Sequence, residues 1–260
     1  MIKWIPKLVL KSNIGSFVYE KVKETSMYPF MYYFDPTYVL VIIGAIVCAI
    51  ASARVNIAYS KYDKVRNRRG VTAEQVAEQI LHNAGIYDVR IQHIRGNLTD
   101  NYNPSNKTLN LSDAVLGKTS VAAIGVAAHE CGHAIQDQVN YGPLRLRAAS
   151  VPLANIGSYL SWPILILGII LGSSRLAHIG VFVFLFVIAF ELITLPVEFN
   201  ASHRALTILR DDNLLEQDEV KMAKSVLVAA ALTYVAALFS AFLQLLRMLI
   251  IAGGTSNRDD

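Results

Sequence analysis

Residues 148–197 read AASVPLANIGSYLSWPILILGIILGSSRLAHIGVFVFLFVIAFELITLPV. In these 50 residues only Arg175 and Glu191 carry charge. A helix that crosses a bilayer needs about 17–25 predominantly apolar residues. The 27 residues before Arg175 and the 22 after it therefore read as two membrane spans joined by a short turn. Two further stretches fit the same rule. Residues 36–53 are 18 in a row without a charge, and residues 225–246 are 22. The sequence predicts four transmembrane helices. The alternative is four long buried helices of a soluble protein. That arrangement would leave too little polar surface to cover them.

Composition points the same way. The chain has 260 residues, 53% hydrophobic and 17% charged, with mean hydropathy +0.39. An ordinary soluble domain has about 45–50% apolar and 25% charged residues. A disordered chain and a secreted disulfide scaffold are both excluded. Cys48 and Cys131 lie far apart in apolar surroundings, so no disulfide framework is expected. The net charge of +4 is small and the basic residues form no single tract, which argues against nucleic acid as a partner. Residues 1–30 have early lysines but no uninterrupted apolar core and no small-residue cleavage site. They are expected to be a leader without an assigned role.

Basic residues set the expected orientation. Arg54, Lys61, Lys64, Arg66, Arg68 and Arg69 follow the first span, and Arg145 and Arg147 precede the second. Arg204, Arg210, Lys221 and Lys224 follow the third, whereas the second-to-third turn has only Arg175. The positive-inside rule places these basic connections in the cytoplasm. Five lysines in the leader weigh against that orientation. The expected division is a leader at 1–30, a first transmembrane helix at 31–53 and a cytoplasmic domain at 54–147. The second and third transmembrane helices follow at 148–197, a cytoplasmic segment at 198–224, a fourth transmembrane helix at 225–252 and a tail at 253–260.

The polar region 54–147 has recognisable local signals. Thr72 with Gln75 makes a capping box, and Val71 with Val76 a hydrophobic staple. That helix is expected to end near Ala84, with Gly85 beyond it. Residues 88–94 and 107–111 look like strands, separated by the turn chemistry of Asn103-Pro104-Ser105-Asn106. They are expected either to form a plain hairpin or to offer an edge to an extended peptide. Ser120 can cap a third helix through Gln138, stopped by Gly142-Pro143.

The chemistry lies on that third helix. His129-Glu130-Cys131-Gly132-His133 is an H-E-x-x-H motif. Positions i and i+4 share a helix face, so both imidazoles can bind one zinc ion. Glu130 can then serve as general base towards a metal-bound water. With six histidines in the chain, chance predicts about 0.005 such motifs. Cys131 faces away from the metal and is expected in the core. Catalytic zinc usually takes three protein ligands. Two spans separate this helix from Glu198, which returns the chain to the same side and makes Glu198 the expected third ligand. His203 is a rival ligand. It is also an oxyanion candidate, together with Tyr102, Tyr141 and Arg204. Glu191 lies seven residues before Glu198 within the span, where an acid is either functional or packed in a neutral or hydrogen-bonded form.

The segments AAHECGHAIQ, NLTDNYNPSNKTLNLS and LPVEFNASHRAL together resemble the YugP-like family of membrane neutral zinc metallopeptidases. MYYFDPTYVL and LTYVAALFSAFLQLLRMLI are similar to that family's first and last spans. The likeness runs from about Met31 to about Ile251. The layout is similar to that of the heat-shock-type and CaaX-processing membrane zinc peptidases. The resemblance implies one zinc ion per chain held by His129, His133 and Glu198, a gluzincin-like set, with Glu130 as base. It also implies a bacterial cell membrane as the location. Many such enzymes have an Asp four residues after the ligand Glu; Ser202 stands there, a weaker hydrogen-bonding support for a zinc-binding His.

The expected protein is mainly α, with four transmembrane helices and a small α+β zincin-like cytoplasmic catalytic domain. The expected function is that of a membrane metalloendopeptidase. Its partners would be the lipid bilayer and a protein or peptide substrate. The alternative is a zinc-binding membrane scaffold or regulator that cleaves nothing.

Overall fold

The computed structural model describes residues 35–256 of the chain. The leader at 1–30 and the end of the tail lie outside the described residues. Packing divides the chain into two units, Met1–Val39 and Leu40–Asp260. In the described part of the first, the Asp35 carboxylate accepts hydrogen bonds from the Thr37 backbone N–H and hydroxyl.

The elements are helix α1 (Tyr38–Tyr62), helix α2 (Ala73–Asn83) and strands β1 (Arg90–Ile94), β2 (Asn101–Asn103) and β3 (Thr108–Ser112). Four helices follow: α3 (Val121–Gln138), α4 (Gly142–Ile170), α5 (Ser174–Asp211) and α6 (Gln217–Ser256). Among the described residues, helices α1, α4, α5 and α6 are the four that are long and apolar enough to cross a membrane. The protein is thus a mainly α membrane protein with a small three-stranded sheet. Three of these helices, α1, α5 and α6, run past their apolar stretches. α1 continues past Arg54 to Tyr62, and α5 past Glu198 to Asp211. A helix need not stop where its apolar stretch does, because the bilayer limits only the apolar part.

α4 and α5 form a tight hairpin. A Cβ on Gly180 would meet the Leu165 backbone N at 2.6 Å and the Ser161 carbonyl at 2.7 Å, and one on Gly168 would collide with Ala177. Small residues at such crossings let apolar helices approach closely where lipid offers no hydrophobic drive. Leu165, Val181, Phe184, Ile188 and Met248 bury the contact with α6.

The second core sits beside this frame. Val76 and Ile80 of α2, Leu109 and Leu111 of β3, and Ile124, Ala127 and Cys131 of α3 pack against Leu209, Leu214 and Leu227. The α2 start has its expected form: Gln75 Oε1 accepts from the Thr72 N–H at 2.9 Å, and Gly85 follows the helix with φ +72. Ser120 caps α3, its hydroxyl accepting from the Ala123 N–H at 3.2 Å.

Two local expectations are corrected. The sheet order is β1-β3-β2, with β1 parallel to β3 and β2 antiparallel to it. The two expected strands, β1 and β3, therefore form no hairpin with each other; β3 runs back along β2 across the turn at 104–107. The third strand, Asn101-Tyr102-Asn103, lacks the apolar alternation that announces a strand. Gly142-Pro143 does not stop α3, which ends at Gln138; it opens α4, with Pro in the first turn. Proline lacks the N–H that a helix start leaves unsatisfied anyway.

Candidate metal centre

α3 and α5 cross at Gly132. A Cβ there would lie 2.5 Å from the Ala201 carbonyl oxygen and 3.1 Å from the Ala201 Cα. The glycine inside the H-E-C-G-H motif is what lets the two helices approach. One turn of α3 then lies against one turn of α5, and His129, His133 and Glu198 converge.

Glu198 Oε2 lies 3.3 Å from His129 Nε2 and 3.4 Å from His133 Nε2. The donor atoms of the three side chains all fall within 4.8 Å of one another, so the group could hold a metal ion. Glu198 is only 2% exposed, and its Oε2 is buried without a hydrogen-bond partner. The imidazole nitrogens face it at ion-pair distance rather than in hydrogen-bond geometry. An orphaned carboxylate oxygen is costly in a protein interior. The spacing fits zinc. Tetrahedral ligands at about 2.0–2.1 Å from a metal stand about 3.3–3.4 Å from each other. The residues present therefore fit the cofactor.

The outer nitrogens of both histidines are engaged. His129 Nδ1 lies 3.0 Å from Ser202 Oγ, and His133 Nδ1 lies 3.0 Å from Gln136 Oε1. Gln136 in turn donates to the Val197 carbonyl at 2.8 Å and to Asn200 Oδ1 at 3.0 Å. With Nδ1–H donated outward, Nε2 keeps its lone pair for a metal. Burial opposes charging the His133 imidazole, but Glu198 and Glu130 more than offset it and raise its pKa above the usual histidine value. Arg147 closes the other side of the carboxylate, its guanidinium 3.3 Å from Glu198 Oε1.

Glu130 is buried beside the histidines, and its Oε2 accepts the Tyr102 backbone N–H at 2.9 Å. That bond ties edge strand β2 to the site. The Tyr102 hydroxyl donates to Asp137 at 2.8 Å, and Lys107 Nζ reaches the same oxygen at 2.7 Å. Asp100 is held nearby by the Ser112 N–H at 2.7 Å and hydroxyl at 2.8 Å. Burial pushes its carboxyl pKa up against those two bonds.

The other sequence candidates lie apart from this group. His203 is exposed and lines a separate cavity with Phe199, Leu206 and Leu232. It is five residues on from Glu198, about 140° round the helix. Arg204 donates to Asn200 Oδ1 at 2.8 Å. Tyr141 sits at the start of α4 and lines neither cavity that reaches the metal group. Tyr102 lines one of them, but its hydroxyl is committed to Asp137. Glu191 is half-buried and does not join the donor group. Cys131 is fully buried in the core, 3.6 Å from the Ala77 carbonyl, and burial raises its thiol pKa far above the usual value.

Arg147 and Tyr234 were not foreseen as site residues. Tyr234 lines both cavities that reach His129, Glu130 and Glu198. Arg147 could have been found from the sequence as a charge at the mouth of a span. Tyr234, in the middle of an apolar stretch, carries no such signal.

A helix-borne His/His pair that meets a buried carboxylate from a membrane-spanning helix defines a class: a membrane protein built around a metal-binding group of zinc-peptidase type. Residues 37–253 match the family described as "Putative neutral zinc metallopeptidase", and the chain belongs to that family. It is 43% identical over 202 residues to "Putative membrane protease YugP" of Bacillus subtilis (strain 168), covering 77% of this chain and 89% of that protein. No solved structure matches the chain.

Proposed function

We propose that the protein is an integral-membrane zinc metalloendopeptidase of the cell membrane, working at the cytoplasmic face on protein or peptide substrates. His129, His133 and Glu198 hold one zinc ion per chain, and Glu130 is the general base. The observation that carries this reading is the orphaned Glu198 Oε2, placed 3.3 and 3.4 Å from two imidazole nitrogens. Zinc bound there supplies Lewis-acid polarisation of the scissile carbonyl and acidifies the attacking water.

The chain's own residues do the rest. Glu130 takes a proton from the attacking water and delivers it to the leaving nitrogen. The water oxygen bonds to the carbonyl carbon as the C–N bond breaks, leaving a carboxylic acid and an amine, and the acid's proton then passes to the amine or to solvent. The Tyr102 N–H holds the Glu130 carboxylate in place before that transfer. Ser202 and Gln136 fix the imidazole rings, and Arg147 fixes the Glu198 carboxylate.

The test is Glu130→Gln in purified full-length protein. Zinc content by elemental analysis should match wild type, while chelator-sensitive peptide cleavage is lost. Undiminished chelator-sensitive cleavage by the variant removes Glu130 as the base.

A further inference from the structure

Two cavities meet at the same reactive residues. One has a volume of about 180 Å³ and lies between α1, α3 and α6. Its walls are chiefly Val55, Tyr59, Leu98, Val126, Leu227 and Ala230, Asp100 also lines it, and it opens onto His129, Glu130 and Glu198. The other, about 290 Å³, reaches the same three residues from the side of β2 and α4, with mixed walls that include Asn101, Arg147 and the shared Asp100. A peptide whose scissile bond lies at Glu130 therefore has an apolar chamber on one side and a partly charged one on the other.

We infer that the apolar chamber is a specificity pocket that takes a large apolar side chain of the substrate residue adjoining the scissile bond. The inference rests on the peptidase reading and names its substrate class. The size agrees: a dry cavity of about 150 Å³ lined by Leu, Ile and Phe takes up benzene. A branched aliphatic or aromatic side chain fits such a space; with the Asp100 carboxylate already bonded to Ser112, a charged one would be stranded there.

Leu98 gives the second observation. Its φ is +55, in the left-handed region that residues other than Gly, Asn and Asp seldom enter. The loop is clamped on both sides of it. Asp113 Oδ2 accepts the Gly96 N–H at 2.9 Å, and Asp100 accepts from Ser112 at 2.7 and 2.8 Å. Strain held in place by its surroundings is found at functional positions. Here it turns a leucine into the chamber wall, where it packs with Tyr59 and Val126.

The experiment is cleavage-site profiling. Zinc-loaded, full-length protein in nanodiscs digests a proteome-derived peptide mixture, with Glu130→Gln as background, and the cut sites are read by mass spectrometry. The expected result is enrichment of Leu, Ile, Met or Phe at one position flanking the cut. Ala230→Phe, which fills the chamber, should move that preference to Gly and Ala. Leu98→Gly is accommodated by the left-handed backbone and widens the chamber, so it tests the same point without relying on Ala230→Phe. It should reduce discrimination between Leu and Ala roughly 10- to 100-fold. Glu130-dependent cleavage with no apolar preference, or with a preference unchanged in both variants, overturns the inference alone. Failure of wild type to cut any peptide overturns the peptidase reading and this inference with it.

Discussion

At the scale of single residues, the site depends on which atoms are left without partners. His129 and His133 each spend one ring nitrogen on a neighbour, Ser202 or Gln136, and turn the other towards Glu198. Glu198 spends Oε1 on Arg147 and leaves Oε2 facing the histidines. Removing Glu198 takes away the only carboxylate in the described donor group. Removing Ser202 takes away only the support for one ring, and loss of such a partner typically costs 10- to 100-fold in metal affinity. Glu198→Ala should therefore be purified without stoichiometric zinc. Ser202→Ala should bind it roughly 10- to 100-fold more weakly in competition with a fluorescent chelator. Equal affinity in Ser202→Ala and wild type removes Ser202 from the support of His129.

At the scale of elements, some parts were legible in the sequence and others were not, for physical reasons. The α3 helix was readable because a cap, a long apolar run and an i, i+4 histidine pair all agree on one state. Strand β2 was not, because Asn101-Tyr102-Asn103 is polar and short; it is a strand only because β3 lies beside it and Glu130 accepts its outward N–H. Arg147 shows in the sequence only as a charge at the mouth of a span, and nothing local marks Tyr234; the packing of α4 against α5 and of α6 against α3 brings both to the site.

Lys107 and Tyr102 both bond Asp137, and so join the sheet to the helix one turn beyond His133. Partial burial alone would raise the Asp137 pKa, but these two hydrogen bonds outweigh it, and the folded-state value is lowered. A carboxyl lowered on folding stabilises the protein above its unfolded pKa of about 3.9. That contribution fades as pH falls through the folded value. Asp137→Asn should thus lower the melting temperature at pH 7, and the gap from wild type should narrow below about pH 4. A gap independent of pH would mean that Asp137 contributes through packing alone.

At the scale of the whole molecule, helix length decides where the site lies. From Ser174 at the start of α5 to Glu198 is 24 residues, about 36 Å at 1.5 Å per residue. From Arg147 to Ile170 at the end of α4 is 23 residues, about 35 Å. Both distances slightly exceed a hydrocarbon core of about 30 Å. The α4–α5 hairpin therefore crosses the bilayer and returns, and Arg147 meets Glu198 at the membrane face opposite the turn at 171–173. The low charge fraction of the chain and the position of the metal group are thus two consequences of one geometry. The proposed orientation, drawn from the basic residues that flank the site side, makes this the cytoplasmic face. Lys118, exposed between β3 and α3, belongs to that side, and Leu171, exposed in the hairpin turn, to the other. In a background lacking Cys48 and Cys131, an impermeant maleimide should label Leu171→Cys in intact cells and Lys118→Cys only after permeabilisation. The reverse pattern would place the metal group at the outer face, and the proposed cytoplasmic substrates would be excluded with it.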